Sequence, residues 1–172
     1  MTNLLLLWLK TRTSNEDISY ILPNIYISNF KTSNNEELLK KYKITCIINI
    51  TNTCSNNYYN RIDYNRFSLK DNKSEDQIKK LENILEYDID GMHNKIIKGH
   101  NVLVHCHYGI QRACMYVSAY VMKYYNYNML ESIEFIKSKR PIAFRGGISF
   151  KKSLKKLEKK IMINKLNSNF KY

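Results

Sequence analysis

The 172-residue sequence has few glycines and prolines, 5 and 2, which excludes a collagen-like or low-complexity chain. No apolar run approaches the roughly 18 residues that a membrane-spanning helix requires. Its four cysteines lack paired spacing and no secretory signal is apparent, which predicts a reducing, cytoplasmic compartment. With 44% hydrophobic and 25% charged residues, the composition is typical of one globular domain.

Acidic residues are scarce relative to basic ones. The chain has 15 Asp and Glu against 28 Lys and Arg, a net charge of +13, which predicts attraction to phosphoproteins, nucleic acids or acidic membrane surfaces. Residues 137–171 hold twelve of the basic residues and one acidic residue, Glu158. Such a run is usually the solvated face of a helix. Without an RNA-binding motif or interleaved exposed aromatic residues, it does not support specific recognition of bases.

Helical and extended segments alternate along the chain, which predicts an α/β fold with helices flanking a central mixed sheet. The apolar, β-branched run at residues 44–50 is typical of a strand covered on both faces. Ser33 or Asn34 is the expected N-cap of the second helix. The predicted strands are residues 25–27, 44–50, 63–69 and 102–104. The predicted helices are residues 3–11, 34–42, 74–92, 112–125, 128–139 and 149–165.

The predicted organisation is a helical N-terminal segment, one domain and a basic tail, at residues 1–17, 18–165 and 166–172. The first segment has an apolar face that is too large to leave in water. This face consists of Leu4, Leu5, Leu7 and Trp8. It packs either on its own domain or on a second copy of the chain, and the sequence does not decide between the two.

The residues with the clearest chemistry are 105–112, which follow a predicted buried strand and open a predicted helix. A loop in this position turns backbone N–H groups and the helix dipole toward an anion. Cys106 opens the loop, where the same field favours a thiolate. Gly109 permits a tight turn, and Arg112 can bind two phosphate oxygens with its guanidinium. The segment therefore predicts a nucleophile, an anion cradle and a charge clamp for a phosphate ester. The cradle amides are those of His107, Tyr108, Gly109, Ile110, Gln111 and Arg112.

Two other interpretations of this segment are weaker. Cys106 alone fits a buried structural cysteine, since free cysteines are often buried and unreactive, but its position directly after a buried strand favours a catalytic role. A metal site would use His105, Cys106, His107 and Cys114. That spacing fits no standard zinc pattern, and Arg112 would repel the ion, so we expect no metal.

The motif His105-Cys106-x5-Arg112 resembles the signature of the cysteine-dependent protein tyrosine phosphatases, and residues 18–160 resemble their dual-specificity branch. Residues 21–28 resemble the opening strand motif of that branch. Other resembling segments are residues 44–50, Arg140-Pro141 and residues 147–150. The compact length and the N-terminal helix are most similar to the vaccinia-type (poxvirus) enzymes.

The resemblance implies a protein tyrosine phosphatase-like fold and hydrolysis of phosphotyrosine and phosphoserine or phosphothreonine in phosphoproteins. It implies a cysteinyl-phosphate intermediate, no metal and no cofactor. A viral relative of this kind would act in the host cytoplasm or the virion. In the similar viral enzymes the N-terminal helix takes part in a dimer, so a homodimer is also implied.

Cleavage through a cysteinyl-phosphate needs a carboxylic acid that protonates the leaving oxygen. The candidates are Asp71, Glu75 and Asp76. The resemblance assigns this role to Asp71, which lies between a predicted strand and a predicted helix. Asp76 is better placed to stabilise the first turn of that helix, and Asp71 itself fits a turn residue. The resemblance also implies that His105 orders the loop and helps to stabilise the thiolate.

Several residues depart from the family pattern. Ala113 stands where the family has a serine or threonine whose hydroxyl assists breakdown of the phosphoenzyme. Cys114 is either a core thiol or a disulfide partner of Cys106 under oxidation. His107 and Tyr108 are bulkier than usual and either narrow the entrance to the cradle or point outward.

Two rival functions remain. The net charge of +13 and the use of the same loop by related viral enzymes suggest an RNA 5′-phosphatase. A general acid argues against it, because a pyrophosphate leaving group hardly needs a proton. Ala113 suggests a phosphate-binding pseudophosphatase with little turnover.

Overall fold

The structure is a computed structural model that describes residues 17–72 and 74–169. Its centre is a five-stranded sheet of order β1-β2-β5-β3-β4. β1 and β2 are antiparallel, and the other neighbours are parallel. The strands are β1 (Ile18–Leu22), β2 (Ile25–Ser28), β3 (Cys46–Asn49), β4 (Asp63–Arg66) and β5 (Val102–His105). The predicted mixed sheet with flanking helices is therefore confirmed.

Helices cover both faces of this sheet. They are α1 (Phe30–Ser33), α2 (Glu36–Lys41), α3 (Glu75–Asn83), α4 (Ile89–Ile97), α5 (Arg112–Tyr124), α6 (Met129–Lys139) and α7 (Lys151–Asn169). A π-helical segment, Ile84–Asp88, joins α3 to α4. None of the helices in the described ranges is long and apolar enough to cross a membrane.

β5 lies at the centre of the core, and all of its residues are buried. Val102 and Val104 face the larger apolar cluster, which includes most of α5, whereas Leu103 joins the smaller cluster on the opposite face of the sheet. β3 is buried along its whole length as well, as the apolar run at residues 44–50 predicted. Packing on both faces fixes the carboxyl end of β5, where the loop of residues 106–111 begins.

Several predicted boundaries were wrong. The cap of α2 is Asn35, whose side-chain oxygen accepts from the Leu38 N–H at 3.1 Å, and not Ser33 or Asn34. β4 ends at Arg66, because the chain then turns inward and buries Leu69 completely. The helix predicted over residues 74–92 contains the π-helical segment and continues to Ile97.

The last helix is also longer than predicted. α7 continues to Asn169, past the end of the helix predicted over residues 149–165. The predicted N-terminal helix, with its apolar face and its role in a homodimer, lies outside the described residues, as do residues 170–172.

Candidate active site

The loop between β5 and α5 lies where three parallel strands end together. Ser28, His105 and Asn49 are register partners at the ends of β2, β5 and β3. The Ile50 N–H donates to the His105 carbonyl at 2.9 Å, which extends the pairing of β3 and β5 to the base of the loop. Cys106 follows directly and is 1% exposed, so its sulfur lies at the bottom of the site.

The carbonyl groups of the loop are bound to the surrounding scaffold. His107 accepts from the Phe30 N–H at 3.1 Å, and Ile110 accepts from the Phe144 N–H at 2.9 Å. Gly109 accepts from Arg140 Nε at 2.7 Å and from the Cys114 thiol at 3.3 Å. In a trans peptide unit the N–H points away from the carbonyl. Anchoring these carbonyls outward therefore turns the N–H groups of the loop toward its interior.

Those N–H groups are free to bind an anion. Within residues 17–72 and 74–169, the amides of residues 107–111 have no protein acceptor. The loop also opens α5, whose dipole adds positive potential at its first turn. The loop therefore offers unpaired backbone donors between Cys106 and the N-terminus of α5, which is the arrangement that an anion cradle requires.

Gly109 cannot be replaced by another residue without distorting the loop. Its φ is +65°, in the left-handed region. A Cβ at this position would lie 2.5 Å from the Ser28 carbonyl oxygen and 2.6 Å from Arg140 Nη2. Two independent constraints, the backbone conformation and the contact with β2, therefore require glycine.

Arg112 and Asp71 lie together at the edge of the cradle. Arg112 is 5% exposed, and its Nη1 donates to the Leu69 carbonyl at 2.7 Å. Its Nε lies 3.4 Å from Asp71 Oδ2, and the Asp71 side chain is 34% exposed. The fold thus brings Asp71 to Arg112, which lies 41 positions later in the sequence and six after Cys106.

Asp76 lies in the first turn of α3, as the sequence indicated. Hydrogen bonds from Ser74 and Gln77 lower the pKa of its carboxyl, which favours the charged form. The neighbouring Gln77 accepts from the Lys70 N–H at 2.7 Å and so fixes the chain just before Asp71. Of the two aspartates, only Asp71 is paired with Arg112.

His105, which precedes Cys106, is 1% exposed. Burial, followed by the charges of Arg112 and Arg66, lowers the pKa of its imidazole from 6.5 to about 4. The ring is therefore neutral at pH 7. Its Nδ1 lies 3.4 Å from the Cys106 carbonyl oxygen, and it stacks on Phe30. These contacts suit a residue that orders the loop, whereas a neutral ring adds no positive charge beside the thiol.

The residues after Arg112 are both buried. Ala113 is 0% exposed in the first turn of α5. Cys114 is also fully buried, and burial raises the pKa of its thiol, which donates to Gly109. Cys114 and Cys106 are both free, so the core-thiol interpretation of Cys114 fits this geometry.

The side chains of His107 and Tyr108 lie at the surface of the loop. Both are exposed, Tyr108 to 66%. Gln111 instead turns to the segment before α7: its Nε2 donates to the Gly147 carbonyl at 2.7 Å, and its Oε1 accepts from the Ser149 N–H at 3.2 Å. This side chain ties the end of the loop to a second part of the chain.

Arg140 is the functional residue that the sequence analysis missed. It is 2% exposed and binds three partners: the Gly109 carbonyl, Ser19 Oγ at 3.1 Å and Asp17 Oδ1 at 2.7 Å. It thereby joins the loop to β1 and to the residue before it. The sequence analysis named the Arg140-Pro141 pair as a segment that resembles the family. That pair does not indicate that the guanidinium is buried under the loop.

Comparison with known proteins agrees with this architecture. Residues 25–160 match the family model described as the catalytic domain of dual specificity phosphatases. The chain belongs to the dual specificity phosphatase family. It is 31% identical over 150 residues to protein 123R of Invertebrate iridescent virus 6, covering 87% of this chain and 96% of that one. It is 30% identical over 125 residues to rat dual specificity protein phosphatase 18, covering 73% of this chain.

The matched region spans 59% of the length of the rat phosphatase and 64% of its mouse counterpart. Among solved structures, human DUSP28 is similar with a TM-score of 0.75 and 20% identity, over 86% of this chain and 96% of that one. At this identity the likeness shows the fold alone. It confirms the expected phosphatase-like arrangement of sheet and helices.

Replacing Arg140 with lysine should destabilise this dual specificity phosphatase domain. Lysine cannot reach Gly109, Ser19 and Asp17 together, so the buried Gly109 carbonyl would lose its guanidinium donor. We expect the free energy of unfolding, measured in urea, to fall by about 2 kcal/mol. The matched control is Arg145→Lys at an exposed arginine of the next loop, with a change within about 0.5 kcal/mol. Equal changes in the two variants would contradict the assigned role.

His105 should make stability fall in acid. Its pKa is lower in the folded chain, so the unfolded chain binds the proton first and the stabilisation is complete only above pH 6.5. The free energy of unfolding should therefore fall by about 3 kcal/mol as the pH falls from 6.5 to about 4. Denaturant titrations should show this loss in the wild type and a flatter profile in His105→Asn. Parallel profiles would exclude a buried neutral imidazole.

Proposed function

We propose that this chain hydrolyses phosphotyrosine and phosphoserine or phosphothreonine in phosphoproteins through a cysteinyl-phosphate. One observation carries the proposal: the loop holds unpaired N–H groups above buried Cys106, with Arg112 and Asp71 paired at its edge. Family membership supports the same activity. A catalytic thiol also requires a reducing environment, in agreement with the cytoplasmic location expected from the cysteine pattern.

In the first step the Cys106 thiolate attacks phosphorus, and the bond from phosphorus to the ester oxygen breaks. The loop amides and Arg112 bind the three remaining phosphoryl oxygens, whose charge distribution changes in the transition state. Asp71, in its acid form, donates a proton to the departing oxygen. The dephosphorylated side chain then leaves with that proton.

In the second step the roles of Asp71 and Cys106 reverse. The Asp71 carboxylate accepts a proton from water as the water oxygen attacks phosphorus. The bond between sulfur and phosphorus breaks, the electron pair returns to Cys106 as a thiolate, and inorganic phosphate leaves. The 3.4 Å pairing of Asp71 with Arg112 supports this assignment, since it holds the carboxyl beside the phosphate clamp.

A proton donor beside the clamp also favours phosphoprotein over triphosphate-ended RNA. Serine, threonine and tyrosine side chains are poor leaving groups that gain from protonation, whereas pyrophosphate is a good one. Two basic side chains of α7, Lys156 and Lys160, are paired with Glu82 and Glu86, which reduces the positive charge that this helix offers to RNA. The argument for RNA is the net charge of +13, which does not distinguish RNA from an acidic phosphoprotein.

The test compares phosphate release by the wild type, Cys106→Ser and Asp71→Asn with a chelator present. Cys106→Ser should abolish hydrolysis, since a serine hydroxyl is scarcely ionised at neutral pH. Asp71→Asn should slow a phosphotyrosyl peptide by about 10²- to 10⁴-fold. It should slow an aryl phosphate with a good leaving group much less.

Three results would contradict the proposal. Remaining turnover in Cys106→Ser would remove the nucleophile from the mechanism. Equal slowing of both substrates by Asp71→Asn, with Asp76→Asn as the matched control, would remove the general acid. Faster release of phosphate from triphosphate-ended RNA than from phosphopeptides would show that RNA, and not phosphoprotein, is the preferred substrate class.

Ala113 should make breakdown of the phosphoenzyme slow. A hydroxyl at this position would stabilise the sulfur as it leaves, and a hydrogen bond to a charged group contributes roughly 1.5–3 kcal/mol. Its absence should slow dephosphorylation by about ten- to a hundredfold. Rapid-mixing assays should show a burst of leaving group and phosphoenzyme on acid quench. Ala113→Ser should increase turnover and reduce the trapped fraction, and no burst with no effect of Ala113→Ser would exclude this account.

A further inference from the structure

Aromatic side chains contact one another beside the loop that begins at Cys106. Phe30, which follows β2, stacks on His105 and on His107 with ring centroids 6.3 Å apart in both pairs. The Phe30 N–H donates to the His107 carbonyl, so ring and backbone fix the same point of the loop. His107 in turn contacts the Tyr108 ring edge to face at 4.6 Å. We call Phe30, His107 and Tyr108 the aromatic rim.

Tyr108 lies within the loop of residues 106–111. Its amide is one of the unpaired donors of that loop, so its backbone lies where we propose that phosphate binds. Its side chain is 66% exposed, and His107 is its ring partner among the described residues. A large, exposed ring thus stands two positions after Cys106, which itself is 1% exposed.

The aromatic rim should affect aryl and alkyl phosphate esters differently. A phosphotyrosine places an aromatic ring between the phosphoryl group and the peptide backbone, at the height of the rim, where the Tyr108 ring can stack on it. A phosphoserine or phosphothreonine has no ring, and its short side chain must bring the peptide backbone down to the exposed Tyr108. The rim therefore adds a favourable contact for one ester and an obstacle for the other.

We propose that the Tyr108 ring, supported by His107 and Phe30, is an aryl-binding wall that makes phosphotyrosine the preferred substrate class of this phosphatase. The inference rests on the proposed function for its catalytic meaning. Its physical content is a difference in binding between aryl and alkyl phosphates, which can be measured without turnover.

The experiment uses two peptides of identical sequence, one with phosphotyrosine and one with phosphothreonine. Their dissociation constants are measured on the full-length Cys106→Ser chain, and their kcat/KM values on the chain with Cys106 present. In each background Tyr108 is changed to alanine or leucine. The matched control is Tyr87→Ala, because Tyr87 is 69% exposed on the π-helical segment. The affinity for inorganic phosphate reports whether the cradle remains folded.

We expect Tyr108→Ala to weaken binding of the phosphotyrosyl peptide by about 3- to 10-fold and to lower its kcat/KM by a similar factor. The phosphothreonyl peptide should change less than about twofold or improve. Tyr108→Leu should lose the aryl preference too, since it keeps bulk without a ring. Tyr87→Ala should change neither peptide, and phosphate affinity should be the same in all variants.

Equal losses for both peptides, or no loss for the phosphotyrosyl peptide, would overturn the aryl-binding wall. So would full selectivity in Tyr108→Leu. If neither peptide is hydrolysed with Cys106 present but the binding preference appears and depends on Tyr108, the proposed function fails and the wall stands. If hydrolysis occurs without a Tyr108-dependent preference, the wall fails and the proposed function stands.

Discussion

The hydrogen bond from Arg140 to the Gly109 carbonyl is the interaction on which the candidate site depends. A backbone loop binds an anion only if its N–H groups point inward, and this requires that its carbonyls find partners outside. Arg140, Phe30 and Phe144 supply those partners from three separate parts of the chain. The anion cradle is therefore a product of tertiary structure, although every amide in it belongs to one short segment.

This arrangement leaves polar groups unsatisfied where substrate is expected to bind. The inward N–H groups have no acceptor within the described chain, and Arg112 Nε lacks a hydrogen bond of good geometry. Unpaired buried donors cost free energy. Burial of β5 and α5 within one large apolar cluster offsets that cost. Under the proposed function, the same rigidity would present substrate with donors that are already oriented.

The sequence predicted the parts of this protein that depend on local chemistry. A buried strand, a glycine turn and a helix start at Arg112 are all encoded within residues 102–112, and the structure has them there. The role of Arg140 was not predictable in the same way, since Gly109 lies 31 residues away and no local pattern distinguishes a buried arginine from a solvated one. The cap at Asn35 was missed by one residue for a related reason: neighbouring polar residues are equivalent until packing selects one.

Few groups supply positive potential at the loop. A neutral His105 can orient the Cys106 carbonyl, but it contributes no charge at pH 7. Arg112 and Arg140 are buried cations at the loop, and each is paired with a carboxylate, Arg112 with Asp71 at 3.4 Å and Arg140 with Asp17 at 2.7 Å. The remaining field comes from the oriented amides and from the N-terminus of α5. Both sources depend on backbone geometry. They therefore depend on the hydrogen bonds that hold the loop carbonyls outward. A change that loosens Gly109 would therefore disturb the orientation of the loop amides, even though Arg140 is an anchor outside the loop.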